Sequence, residues 1–297
     1  MKQVNESLYD TSVVISSMTS CMVARVGPHS DVANLAAHSS VPVINALSDD
    51  FHPLQSIADF LTIHEAFPSS SGSSLGLSGL KIAWIGDSNN VLFDLAISAV
   101  KCGVTIAAAS PQGYGIPQPM KDLINSAAAS APSPGRLIET TVPEEAAKDA
   151  DILVTDTWIS MGQETETQKR LKAFEGYQIT EKLAARGGAK EGWKFMHCLP
   201  RHKEEVDDEV FYGKRSLVFP EAENRLWAAL CEFPCNLPMH LSTSFYPVEQ
   251  HSESRPRLLL LTGLDSGVGG LRCKQGQVLI VSTCGHIHSL AWSLRCD

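Results

Sequence analysis

"LKIAWIGDSNNVLFDLAISAVKCGVTIAAASP" (Leu80–Pro111) decides how this chain folds. Its opening, "LKIAWIGD", is a short apolar run closed by a glycine and an acid, the pattern of a buried strand. "NNVLFDLAISAVKCG" (89–103) then carries apolar side chains at helical spacing and stops at Gly103, a residue free to take the left-handed conformation that ends helices. "VTIAAASP" (104–111) is a second apolar run. A strand, a helix and a strand within about thirty residues make a βαβ unit with parallel strands.

The alternation continues on both sides. Towards the C-terminus the spacing predicts a helix in "QPMKDLINSAAASA", a strand in "RLIETT" (136–141) and a short helix in "PEEAAKDA". A strand in "DILVTDTW" (151–158) and one helix over 168–187 come next, followed by a strand in "WKFMHCLP" (193–200) and a helix starting at "PEAENRLWAAL" (220–230). Towards the N-terminus, "LYDTSVVISSM" (8–18) and "HSDVANLAAHSS" (29–40) read as helices, and "CMVARVG" (21–27) and "VPVINAL" (41–47) as strands. In "HPLQSIADFLTIHEAF" (52–67), Leu54, Ile57, Ala58 and Leu61 share one helical face. The expected fold is α/β, a doubly wound parallel sheet, with ligands outside the carboxyl ends of the strands.

At 297 residues the chain has room for two ordinary domains. The Ser/Gly stretch "PSSSGSSLGLSG" (68–79) reads as a linker between a domain at 1–67 and another at 80–230. Residues 231–297 lose the strand–helix rhythm and hold five of the eight cysteines, so they read as a divergent, poorly structured tail. Proline in "CEFPCNLP" (231–238) is expected to break the helix there.

A net charge of −9 argues against a broad nucleic-acid or membrane surface. No apolar run approaches the ~20 residues of a spanning helix. "MKQVNESLYDTS" has neither a signal-peptide core nor an Arg-rich presequence, so, read literally, the chain is cytosolic. The cysteines and histidines of the tail lack zinc-ligand spacing, and no metal is expected.

Several short stretches carry chemistry. "IGDSNNV" (85–91) joins a strand to a helix, but its single glycine does not make a dinucleotide fingerprint, which disfavours a nucleotide-dependent oxidoreductase. Asn90, at the helix start, suits either a cap or a carboxylate ligand. His52 and Gln55 share one face of a helix start, where a His can polarise a carbonyl and a Gln amide can hold an NH₂ group; a capping His reads as well. Arg25 ends its strand as either a phosphate-binding fork or a surface charge. Asp156 and Ser160, in "TDTWISMGQETE" (155–166), follow a strand as an acid and a hydroxyl four residues apart. Cys198 ends another strand and is either a buried hydrophobe or a reactive thiol. Arg225 lies near a helix start in "EAENRLW".

Together, "NESLYDT", "MVARV", "HPLQ", "IGDSNN", "DTWISMGQE", "HCLPR", "EEVDDEVFY" and "SLVFPEAENR" resemble ornithine carbamoyltransferase, of the aspartate/ornithine carbamoyltransferase superfamily. The likeness runs from residue 4 to about residue 230. It implies a nearly complete ornithine-binding domain preceded by a partial carbamoyl-phosphate domain. It also implies transfer of the carbamoyl group from carbamoyl phosphate to the δ-amino group of L-ornithine, giving citrulline and phosphate without a cofactor.

By resemblance, Arg25, His52, Gln55, Cys198, Leu199 and Arg225 contact carbamoyl phosphate, and Asn90, Asp156, Ser160 and Met161 hold ornithine. His52, Cys198 and Arg225 are the catalytic set, with Cys198 as proton acceptor. The resemblance further implies a homotrimer and, for fungal members, the mitochondrial matrix. The family's Ser-Thr-Arg-Thr-Arg phosphate loop has no counterpart here, so the chain is expected to be N-terminally truncated. Losing about three charge-assisted hydrogen bonds would cost ~10³–10⁶-fold in affinity or rate. Weakened assembly and a non-catalytic ornithine-binding fragment are the matching expectations.

Overall fold

The computed structural model describes residues 6–68, 76–159 and 166–236. The chain divides into two compact units, one of residues 1–54 with 226–297 and one of residues 55–225.

In the first unit, α1 (Leu8–Met18) starts where Ser7 accepts a hydrogen bond from the Asp10 N–H at 3.0 Å. Strands β1 (Met22–Arg25) and β2 (Val43–Leu47) form a two-stranded parallel sheet, and α2 (His29–His38) makes the crossover between them. Met22 and Ala24 on β1 pack with Val32 and Leu35 on α2. The Ser12 hydroxyl of α1 donates to the Leu35 carbonyl at 2.6 Å, fixing α1 on α2. Tyr9, Val13, Val14 and Met18 on α1 face solvent.

Helix α3 (Pro53–Ala66) opens on a proline, whose missing N–H costs nothing at a helix start. The division between units falls inside this helix, after Leu54. Residues 69–75 of the Ser/Gly stretch lie outside the described residues.

The second unit is built on the stretch that opened the sequence analysis. β3 (Lys81–Ile85), α4 (Asn90–Lys101) and β4 (Thr105–Ala109) form the expected βαβ unit, with Gly103 at φ 75° ending the helix. α5 (Gln118–Ala129) leads to β5 (Leu137–Thr140), and α6 (Pro143–Ala147) to β6 (Ile152–Val154). Next come α7 (Thr167–Ala173), α8 (Glu181–Gly187), β7 (Lys194–Met196), α9 (Asp208–Phe211) and α10 (Val218–Asn236).

The five strands lie parallel in the order β5-β4-β3-β6-β7. The chain therefore grows outward from β3 to β5, then returns to the other side of β3. That reversal opens a crevice at the carboxyl ends of β3 and β6, where sheets of this kind receive ligands. One sheet face packs Ala83, Ile85, Leu153 and Phe195 with Ala146 of α6, Leu183 of α8 and Phe174, which follows α7.

Several expectations change, among them the strand read over 193–200, which spans only Lys194–Met196. The helix read over 168–187 is two helices: Gly176 turns at φ 92°, Ile179 bridges to Val206, and Thr180 caps α8 by accepting from the Leu183 N–H. The strand read over 151–158 stops at Val154, because Thr155 spends its hydroxyl on the Ile85 carbonyl at 2.6 Å and the backbone turns away. α10 runs through Pro234 to Asn236, because a proline in the last turn removes only one N–H bond. The rest of the tail, residues 237–297, lies outside the described residues. No helix among the described residues is long and apolar enough to cross a membrane.

Candidate functional site

Three strand ends of the second unit supply the site. β3 is followed by Gly86, whose φ of 149° suits glycine, and a Cβ there would sit 2.9 Å from the Thr155 hydroxyl. This close approach brings the β3 and β6 ends side by side.

Asn89 follows on the β3 side and caps α4, its Oδ1 accepting from the N–H groups of Val91 at 3.1 Å and Leu92 at 3.2 Å. Capping fixes the amide, so its Nδ2 points out and donates to Asp156 Oδ2 at 2.7 Å. Asn90, favoured on sequence for both the cap and the ligand, is the first residue of α4. The observed cap, and the neighbour of Asp156, is Asn89. Two adjacent asparagines carry no signal that tells which is outside the first turn.

Asp156 is buried, and its other oxygen accepts from the Cys198 thiol at 3.2 Å. Burial, reinforced by the negative charges of Asp156 and Glu221, holds the Cys198 thiol well above its usual range. The thiol is therefore protonated at neutral pH.

The stretch after β7 is organised by Glu205. This buried carboxylate accepts from the His197 ring at 3.1 Å, from the His202 N–H at 2.7 Å and from the Trp158 N–H at 3.3 Å. It thus joins the ends of β6 and β7. His197 Nδ1 accepts from the Leu199 N–H at 2.9 Å, so the ring proton sits on Nε2 and faces Glu205. Leu199 is held at φ 64°, in the region non-glycine residues seldom occupy. A second clamp ties β3 to the same segment: Arg170 donates to Asp87 at 2.9 Å and to the Trp158 carbonyl at 2.8 Å, and lies over the Tyr114 ring. Burial raises the Asp87 carboxyl, and the Arg170 charge pulls it back.

Beside these strand ends, α3 and α10 contribute a polar cluster. Gln55 Nε2 donates to Asp59 Oδ1 at 2.8 Å and to Glu221 Oε1 at 3.1 Å, and Arg225 Nη1 donates to Gln55 Oε1 at 2.7 Å. Glu221 Oε2 accepts from the His197 N–H at 2.9 Å, linking the cluster to β7. Burial pushes Asp59 up to about 7 and raises Glu221 well above the carboxylate range.

The second unit thus holds Gln55, Asn90, Asp156, Cys198, Leu199 and Arg225 of the sequence-derived set. Arg25 and His52 belong to the first unit: Arg25 ends β1 and is exposed, while His52 precedes α3 and is buried. Ser160 and Met161 lie outside the described residues. Sequence reasoning missed Asn89, Asp59, Glu221 and Glu205. Asp59 carried no signal, because it lies off the face shared by Leu54, Ile57, Ala58 and Leu61, one turn from Gln55 on the polar side of the helix. Asp156, His197 and Cys198 bring donor atoms within 4.8 Å of one another. Both His197 nitrogens and the thiol are already engaged in hydrogen bonds, so this trio reads as a hydrogen-bonded network rather than a metal cage.

A cleft of this chemistry offers a carboxylate for an ammonium, a thiol beside it, and an amide and guanidinium for a polar planar group. Comparisons with known proteins identify the family. A family model described as the aspartate/ornithine carbamoyltransferase Asp/Orn-binding domain matches residues 78–231, and the corresponding carbamoyl-P binding domain matches residues 1–65. The mitochondrial ornithine carbamoyltransferase of Coccidioides immitis is 72% identical over 233 residues, which is 76% of this chain and 67% of that protein. That of Emericella nidulans is 72% identical over 229 residues, 76% of this chain and 64% of that protein. The chain thus spans about two thirds of the length of the curated relatives it matches. The crystal structure of the Coccidioides immitis enzyme superposes with a TM-score of 0.71 at 70% identity, over 76% of this chain and 69% of that one. An ornithine carbamoyltransferase from Pyrococcus furiosus gives 0.69 at 39% identity, over 77% and 70%.

Proposed function

We propose that this chain, which belongs to the aspartate/ornithine carbamoyltransferase family, moves the carbamoyl group of carbamoyl phosphate onto the δ-amino group of L-ornithine, giving citrulline and phosphate. The observation that carries the reading is Asp156, buried at the β3–β6 crevice and gripped by Asn89 and Cys198. A buried carboxylate needs a cationic partner, and the ammonium of an amino acid supplies one.

In this reading Asp156 takes the α-ammonium of ornithine, and Ser160, Met161 and Asn90 complete the grip on its amino-acid end. The arriving cation competes with the thiol for Asp156 and favours the Cys198 thiolate, whose proton is released. The thiolate then accepts a proton from the δ-ammonium, because only the neutral amine can attack. The amine nitrogen bonds to the carbonyl carbon, the bond from that carbon to the phosphate oxygen breaks, and phosphate leaves with the electron pair and takes up the second proton of the attacking amine. Gln55, the Leu199 carbonyl and Arg225 receive the carbamoyl group. Arg25 and His52 keep the carbamoyl-phosphate assignment given by the resemblance, where positive charge and hydrogen bonds would stabilise the developing oxyanion. The named relatives are mitochondrial, which supports the mitochondrial matrix as the location of this chain, and a homotrimer is the assembly that goes with the resemblance.

The test is citrulline formation by the purified chain from carbamoyl phosphate and ornithine, with Asp156→Ala as the control. Citrulline from the wild type and none from the variant is the expected result. A second reading, an ornithine-binding protein without turnover, draws on Asn90, Asp156 and Cys198 all lying in one unit. Ornithine raising the melting temperature without citrulline formation would select it, and a folded chain indifferent to ornithine would sink both.

A further inference from the structure

Four side chains of the second unit meet beside the site. Gln55 and Asp59 lie one turn apart on α3, and Glu221 and Arg225 one turn apart on α10. Their atoms leave one arrangement open. A guanidinium only donates, so the Gln55 atom 2.7 Å from Arg225 Nη1 has to be the amide oxygen. The amide nitrogen then faces the two carboxyls, one hydrogen for Asp59 Oδ1 at 2.8 Å and one for Glu221 Oε1 at 3.1 Å. Both hydrogens of the NH₂ group are spent, while the oxygen keeps a lone pair.

We propose that Asp59 and Glu221 are positioning residues that set the polarity of the Gln55 amide, presenting its oxygen beside Arg225 so that the site selects a carbamoyl NH₂ over an acyl methyl of the same shape. Apolar residues at 59 and 221 would remove the two acceptors that hold the NH₂ group, leaving the Arg225 hydrogen bond alone to oppose a turned amide that presents NH₂ to the ligand's own NH₂. The ligand half of the proposal rests on the carbamoyl-phosphate reading above. The positioning half does not.

The pair is also suited to keep a proton. Asp59 and Glu221 share a hydrogen bond, and burial raises both. The groups that face them are Gln55 from α3, Arg225 from α10, Asp156 after β6, and Cys198 with the His197 N–H after β7. One shared proton leaves a single negative charge against Arg225, a balance that two carboxylates would upset.

The test uses the full chain labelled with ¹⁵N-glutamine, as wild type, Asp59→Asn and Asp59→Ala, with the Gln55 side-chain amide read by NMR. In the wild type this amide is expected to exchange slowly with solvent and to shift as Asp59 loses its proton at about 7. Asp59→Asn, whose oxygen still accepts, is expected to keep slow exchange and lose the titration. In Asp59→Ala, losing one hydrogen bond should speed exchange about tenfold. Should Asp59→Ala fail to fold, Asp59→Asn decides alone: a Gln55 titration that persists in it overturns the proposal, as does a wild-type amide that already exchanges freely.

Competition between carbamoyl phosphate and acetyl phosphate is the second arm. A wild-type preference of about tenfold for the carbamoyl compound, kept in Asp59→Asn and lost in Asp59→Ala, is the expected result. A preference untouched in Asp59→Ala overturns the selectivity. A locked amide in a chain that binds neither compound upholds the positioning and overturns the carbamoyl-phosphate reading alone.

Discussion

The Cys198 thiol donates to Asp156 Oδ1 at 3.2 Å, while Asn89 holds the other oxygen at 2.7 Å. A thiol in this position is locked as an acid by the carboxylate it faces. The proton-accepting role implied for Cys198 by resemblance therefore needs a cation to arrive first, and Asp156 is the group that would bring one.

This makes the reactivity of Cys198 a readout of Asp156. Burial is the first cause of its high pKa and Asp156 the second. Iodoacetamide labelling at pH 8, followed by peptide mass spectrometry, should modify Cys198 slowly. Asp156→Asn should speed labelling at Cys198 while leaving Cys21 unchanged. Equal rates in both proteins would show that Asp156 does not govern the thiol.

Ornithine binding should depend on the same carboxylate. A hydrogen bond to a charged group contributes ~1.5–3 kcal/mol, so Asp156→Ala should weaken ornithine about 10- to 150-fold in calorimetry. Norvaline, which keeps the α-ammonium and lacks the δ-amino group, should suffer the same loss. A loss confined to ornithine would move Asp156 to the δ-amino end.

Much of this was legible in the chain itself, because β3–α4–β4 is specified locally: an apolar run, an amphipathic helix, a glycine stop. Asp156 and Cys198 were legible by their place at strand ends. Asn89 was not, since only the capping geometry distinguishes it from Asn90. Asp59 and Glu221 are far apart in sequence, and a buried carboxyl pair appears only when α3 and the start of α10 are placed together. The break between α7 and α8 was hidden because the pairing of Ile179 with Val206, a tertiary contact, overrides local helical spacing.

The Arg170–Asp87 pair offers a test of what holds the β6 end. Both side chains are largely buried, and Arg170 also holds the Trp158 carbonyl. Removing one member of a buried pair strands the other charge at a cost of about 3–5 kcal/mol. Arg170→Met should therefore lower the melting temperature sharply, and Arg170→Met with Asp87→Asn should recover part of the loss. A double variant no more stable than the single would mean that the Trp158 contact, and not the ion pair, carries the effect.

Asp59 fixes the sign of a pH effect on stability. Its carboxyl titrates at about 7 in the folded chain, against an ordinary value of 3.8. Between those values the folded state holds a proton that the unfolded state has released, so stability falls as pH rises. The contribution is whole below the ordinary value and gone once pH has passed the folded one. Asp59→Asn carries no titrating group and keeps the acceptor for Gln55. From pH 5 to pH 8 the wild-type melting temperature should therefore fall further than that of the variant, by roughly 2–4 °C for each kcal/mol lost. Glu221, raised by the same burial, adds to the slope in both proteins while its proton is shared. Two melting curves that run parallel with pH would mean that Asp59 is ionised in the folded chain at pH 5, and that the carboxyl pair holds no extra proton there.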